Sequence, residues 1–336
     1  MPAAIDRRCV VAVAPNADRA LNVVSANLKA EARIELGRLA PARQWTDYVA
    51  GVAASLIKAG VPVEGCDIWI ESEVPLGAGV SSSAALEVAI ARALIGLAGV
   101  DADGITLARW AQAAENDFVG MPCGIMDQFA SANGIAAHAL LLDCRTLQSE
   151  ALALPSGYSF LVVNSMLSHA HASGDYRRRR EECELAARTL QVKELCDVAA
   201  DRLQSLPASL PEGPARRVRH VVSEIARVRA CVEYLRAGDI AALGRPINAS
   251  HASLRDDMEV SIAAVDAHVE MAQSAPGVMG ARMMGGGFGG CVLALVQNAA
   301  ADSVREELVA RYGAHIGKTP DAFICRAVGG AGEVAL

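Results

Sequence analysis

Apolar residues recur along the chain in two periods, and the switches between them predict its elements. At the start, CVVAVAPNADRALNVVSANLKAEARIEL sets β-branched runs around Pro15, Asn16 and Asp18, the pattern of paired strands joined by a turn. From Trp45 to Ala59 the apolar spacing turns helical, and Gly60 with Pro62 ends it. CDIWIESEV then alternates as a strand and delivers the chain into VPLGAGVSSSAAL, after which Ala84 to Gly99 reads as a helix. A second helix is predicted over Ile105 to Gly120. GMPCGIMDQFASANG comes next as a loop leading into a short element, and HALLLDC as a strand.

The character changes near Pro155. A strand, YSFLVVNS, gives way to SHAHASGDY and a charged helix, YRRRREECELAARTL. SLPASLPEGPARR reads as a surface connection between helices. Helices are predicted over Val218 to Arg236, over Ile240 to Leu254 and within DDMEVSIAAVDAHVEMAQSA. GARMMGGGFGGCVLALV passes from a glycine-rich loop into a buried strand, and DSVREELVARYGAHIG with DAFICRAV closes on a helix and a strand. No repeat is visible. Irregular alternation of strands and helices in both halves predicts an α+β class rather than a doubly wound parallel sheet.

Composition narrows the partners. The 336 residues are 52% hydrophobic and 21% charged, enough for two domain cores. A net charge of -7 argues against a nucleic-acid or anionic-membrane surface, because such binding needs clustered Lys and Arg. The nine Cys form no Cys-x-x-Cys pair and sit mostly in apolar strings, so reduced thiols and a cytoplasmic location are expected. No apolar run has membrane-spanning length without a charge, and MPAAIDRR lacks a signal-peptide pattern.

Candidate chemistry begins at the glycine turn. Gly77 and Gly79 permit positive φ angles and close backbone approach to a ligand. Ser81, Ser82 and Ser83 stand where N-cap residues belong, and a helix start is an anion site. A Walker loop would need a Lys here and a dinucleotide fingerprint a third Gly at Ser82, so neither applies. A well-capped strand-to-helix turn is the plain alternative.

Five segments in order, WTDYVAGV, VPLGAGVSSSAALEVA, AENDFVGMPCGIMDQF, HASLRDDMEVS and GARMMGGGFGGC, carry a resemblance to the galactokinases of the GHMP small-molecule kinase superfamily. The resemblance covers almost the whole chain. It implies an N-terminal domain over 1–156 with a left-handed β-α-β unit, truncated at its start, and a ferredoxin-like C-terminal domain over 157–336. It also implies ATP, Mg2+, a galactose 1-hydroxyl as acceptor, and a monomer.

On this resemblance Gly77, Ala78, Gly79, Val80, Ser81, Ser82 and Ser83 form the nucleotide loop, and Ser83 with Glu115 would hold Mg2+. Asp127 would accept or orient the proton of the attacking hydroxyl, and Tyr176 would contact the sugar. Gly286 and Gly287, within Gly285 to Gly290, would flank the phosphates. The plain alternatives are a solvent-facing Glu115, an Asp127 that merely caps a helix, and a hairpin turn at the glycines.

Other features carry less. His169 and His171 alternate but lack a third metal ligand at suitable spacing. Arg177 to Arg180 are countered by Glu181 and Glu182, and no His is placed to make Cys123 a nucleophile. The family signature Gly-Arg-x-Asn-x-Ile-Gly-Glu-His-x-Asp-Tyr is not found, and Met1 to Asp6 matches the run next to it, so a missing beginning is expected. A non-catalytic sugar or nucleotide sensor and a kinase of another hexose or an N-acetylhexosamine are the alternative functions.

Overall fold

A computed structural model describes residues 1–168 and 172–333. His169 and His171 lie outside the described residues. Packing divides the chain into two units, one of residues 1–76, 81–152 and 326–336, the other of residues 77–80 and 153–325. The expected boundary near 156 thus has two exceptions. The glycine turn packs with the second unit, and the chain's last segment returns to the first. That return is held by backbone pairing: Ile5 bridges Ala327, and the Gly330 N–H donates to the Gly134 carbonyl at 2.8 Å.

In the first unit, β1 (Cys9–Pro15), β2 (Ala20–Ser25), β3 (Ala30–Glu35) and β4 (Cys66–Ser72) form a sheet in the order β1-β4-β2-β3. The first strands do not pair in sequence as the turn at Pro15 suggests. β1 runs antiparallel to β4, while β2 pairs β4 in parallel and β3 antiparallel. The connection from β3 to β4 carries α1 (Asp47–Lys58), whose start is fixed by the Asp47 carboxylate accepting from the Ala42 and Arg43 amides. Leu21, Val23, Ile68 and Ile70 on the sheet meet Val49, Val52 and Leu56 of α1 and Val88, Ile90 and Leu94 of α2 (Ser82–Leu97). Alternation along β4 explains the one-sidedness, since Asp67, Trp69 and Glu71 point outward.

Beyond α2 come α3 (Gly104–Ala113), a π turn over Ala114–Val119, α4 (Met126–Asn133) and the pair β5 (His138–Leu142) and β6 (Ser149–Ala153). The single helix expected to Gly120 therefore loosens at Ala114.

The second unit orders β7 (Tyr158–Ser168), β8 (Val278–Met283), β9 (Gly289–Gln297) and β10 (Ala322–Cys325) as β10-β7-β9-β8, a ferredoxin-like antiparallel sheet. α8 (Ala263–Ser274) and α9 (Ala301–Ile316) cover it through Val265, Val269, Val304 and Leu308. GARM, expected as loop, lies in β8, so the glycine stretch after it is a hairpin turn. Between β7 and β8 run α5 (Ala172–Leu190), α6 (Glu212–Ala237) and α7 (Ile240–Asp256). SLPASLPEGPARR is only partly a connection: α6 begins at Glu212 and takes Pro214 into its first turn, where a missing N–H costs nothing.

His268 of α8 stacks on Tyr312 of α9 with ring centroids 3.8 Å apart, and neither ring nitrogen has a hydrogen-bond partner. Burial pushes its pKa from 6.5 down to about 4. The unfolded chain therefore takes up a proton at this residue well before the native one does. Its share of stability, up to about 3 kcal/mol, is complete above pH 6.5 and lost as pH falls from 6.5 toward 4. His268→Phe keeps the stack and removes the proton site. The difference between wild-type and variant urea midpoints should change in the variant's favour between pH 7 and pH 5.

Candidate active site

The glycine turn ends on an unusual residue. Ser81 occupies the N-cap position of α2 with φ 61°, a left-handed conformation that a serine adopts only when held there, and its side chain caps nothing. Its hydroxyl instead donates to Asp127 Oδ2 at 2.6 Å. The first-turn amides of α2 thus keep no partner from the cap, and the positive end of the helix is left for an anion. Ser82 and Ser83 lie inside α2 rather than at its cap.

Asp127 does not cap its own helix either. α4 starts at Met126 with Ile125 at the N-cap, so the carboxylate is in the first turn and turned to Ser81. The simple capping alternative fails on this geometry.

Gln128, the residue after Asp127, belongs to a buried polar group that sequence patterns only half reveal. Glu115 is 8% exposed, which removes the solvent-facing alternative. It sits on the π turn, where Asn116 accepts from the Cys123 N–H at 2.7 Å and so ties the next loop back to the turn. Gln128 Nε2 donates to Glu115 Oε2 at 2.7 Å and to Glu87 Oε2 at 3.1 Å. Glu87 is fully buried, and burial together with the neighbouring Glu115 pushes its pKa up to about 9. Cys123 donates its thiol to Glu115 at 3.3 Å, and burial with that same neighbour drives it up to about 12, far from a nucleophilic thiolate. Sequence reasoning misses Gln128, Glu87 and Cys123 as members of the site. Glu87 carries one signal: it lies four residues after Ser83, which places both on one helix face in an otherwise apolar helix.

The other sequence-derived residues gather in the second unit. Gly77 and Gly79 have φ of 70° and 75°, as a turn that brings backbone close to a ligand requires. The turn's Ala78 carbonyl accepts from the Cys291 thiol at 2.9 Å, and burial holds that thiol protonated, with its pKa pushed up to about 12. Gly285, at φ 78°, passes so close that a Cβ there would lie 2.9 Å from the Gly79 oxygen. Tyr176, half-exposed on α5, stands where a Cβ on Gly286 would be 3.6 Å from its ring. Gly286 and Gly287 belong to the β8–β9 hairpin turn and at the same time to this packed cluster. In the basic run nearby, Arg178 and Arg179 pair with Glu182 and Arg180 with Glu184.

The sequence-derived candidates offer hard oxygens: hydroxyls at Ser81 and Ser83, carboxylates at Asp127 and Glu115. Among the described residues no three His, Cys, Asp or Glu side chains converge as a metal cage. Such a set suits a cation that keeps its waters and shares phosphate oxygens.

Comparison with known proteins gives the same picture at the level of family. The family model "GHMP kinases N terminal domain" matches residues 47–134, and "GHMP kinases C terminal" matches residues 231–315. A galactokinase of Roseiflexus sp. (strain RS-1) is 43% identical over 99% of this chain and 87% of its own length. One of Chloroflexus aggregans is 41% identical over 98% of this chain and 86% of its own. Among solved structures, Lactococcus lactis galactokinase complexed with galactose aligns at a TM-score of 0.93 with 29% identity, covering 99% of this chain and 88% of that one. A homoserine kinase from Cytophaga hutchinsonii, 18% identical, shares the fold at a TM-score of 0.66 over 98% of this chain and 89% of its own.

Proposed function

The chain belongs to the galactokinases among the GHMP kinases, and from that premise we propose that it transfers the terminal phosphoryl group of ATP to the 1-hydroxyl of galactose. The observation that carries the reading is the Asp127 carboxylate, held by the hydroxyl of the residue that opens α2 instead of capping a helix. In this role Asp127 takes or orients the proton of the sugar hydroxyl as the oxygen attacks. Residues Gly77 to Ser83 offer backbone N–H groups to the phosphates, Gly286 and Gly287 flank them, and Tyr176 contacts the sugar.

Ser83 and Glu115 would hold Mg2+. The fit rests on their hard oxygens, a hydroxyl and a carboxylate, the donors that such a cation takes. Bound there, the ion would neutralise charge on the phosphate oxygens. Gln128 keeps the Glu115 side chain in place by bonding one of its oxygens.

Galactose-dependent release of ADP by the purified chain, compared with glucose and N-acetylgalactosamine, tests the proposal. ADP release with N-acetylgalactosamine alone would move the assignment to that sugar, and none with any sugar would sink it. Glu115→Ala should raise the Mg2+ concentration for half-maximal rate by about tenfold or more. A titration of rate against free Mg2+ reads this directly.

A further inference from the structure

An ion cluster in the second unit lies outside the chemistry of the phosphate and sugar sites. Arg217 of α6 is 1% exposed. Its Nε donates to Glu182 Oε2 at 2.7 Å, its Nη2 to Glu259 Oε2 at 2.6 Å, and its Nη1 to the Asp257 carbonyl. Arg216 holds the other Glu259 oxygen at 2.9 Å, and Arg179 donates to the Glu259 carbonyl at 3.2 Å. Glu259 is thereby fastened on three sides while its backbone takes φ 51°, a conformation a glutamate keeps only under constraint.

The next residue, Val260, connects this cluster to the glycine hairpin. Its carbonyl accepts the Phe288 N–H at 2.7 Å. A Cβ on Gly287 would fall 2.4 Å from that same oxygen and 2.6 Å from Val260 Cβ. Phe288 is itself left-handed, at φ 60°, and buried. The glycine hairpin therefore rests on Val260, and Val260 stands where Glu259 puts it. Burying a guanidinium among carboxylates gains little stability over apolar packing of the same volume, so stability alone does not account for Arg217.

We propose that Arg217 and Glu259 are positioning residues for the Gly285–Gly290 loop and, through Val260, set the protein's affinity for nucleotide phosphates. This also gives a role to HASLRDDMEVS, a family segment that contributes no residue to the active site. The inference rests on the kinase reading.

The test uses the full chain with Glu259→Gln and Arg217→Lys. Glu259 has a side chain 36% exposed, so its variant is expected to fold even if the buried one does not. Calorimetry with a non-hydrolysable ATP analogue should show Kd raised about tenfold, with galactose affinity changed less than about twofold. Hydrogen exchange should show the Phe288 amide opening faster while β10 amides keep wild-type rates. A folded Glu259→Gln with a lowered Tm but unchanged nucleotide affinity and unchanged Phe288 exchange would overturn the positioning role alone. A wild-type chain that binds no ATP analogue would overturn the kinase reading and this inference with it.

Discussion

Asp127→Asn should lower kcat for galactose phosphorylation by about two to four orders of magnitude and leave nucleotide affinity within about threefold. Asparagine keeps the size of the side chain and can still accept the 2.6 Å hydrogen bond from Ser81 through its amide oxygen. The left-handed serine, and with it the start of α2, should therefore stay in place. What disappears is the negative charge that takes or orients the acceptor's proton. Because that charge acts on the sugar and not on ATP, the loss belongs in kcat. Asp127→Ala is a poorer test, since it also releases Ser81. Steady-state ADP release and calorimetry with an ATP analogue separate the two quantities, and a fully active Asp127→Asn protein would remove Asp127 from the mechanism.

Gly79→Val is the second large effect expected, a fall in kcat/KM for ATP on the order of a hundredfold. The space would admit a Cβ, with Gly290 Cα 3.5 Å away, so crowding is not the obstacle. Conformation is: φ is 75°, and a β-branched residue there is strained by about 1 to 3 kcal/mol. The turn would relieve that strain by moving, and its neighbours Ala78 and Gly285 would move with it. Gly60→Ala is the matching control, because Gly60 has φ 86°, nothing near its missing Cβ, and a place at the end of α1. It should lower Tm by a comparable mechanism and leave kcat/KM for ATP at the wild-type value. Equal loss in both variants would mean that the turn matters only for folding.

Periodicity locates α1, α2, α8 and α9 because each carries an apolar stripe against one sheet face, and β4 because strict alternation leaves no other reading. It fails where a local pattern is outweighed by distant partners. The serines after Gly79 look like caps, yet Ser81 bonds Asp127, forty-six positions along the chain, and no local pattern encodes that partner. AENDFV continues a helical spacing, but close packing of α1 at Gly51, where a Cβ would lie 3.1 Å from Phe118, accompanies a wider turn. Pro207, Pro211 and Pro214 suggest a loop, and only the last of them enters a helix, at the position a helix tolerates. Glu87 is hidden by its own surroundings: it is one acid in an apolar helix, and Gln128, which bonds it, lies forty-one positions along the chain.

The π turn at Ala114–Val119 makes this stretch answer to its length as well as to its letters. A regular α-helix advances about 100° per residue, so removing one codon between Asp117 and Val119 would rotate Glu115 and Asn116 by about that angle against the chain beyond Gly120. Asn116 could not then keep Cys123 while Gln128 kept Glu115. A lesion of that kind would leave every side chain of the site in the gene and still take the site apart, which a catalogue of residue identities would score as harmless.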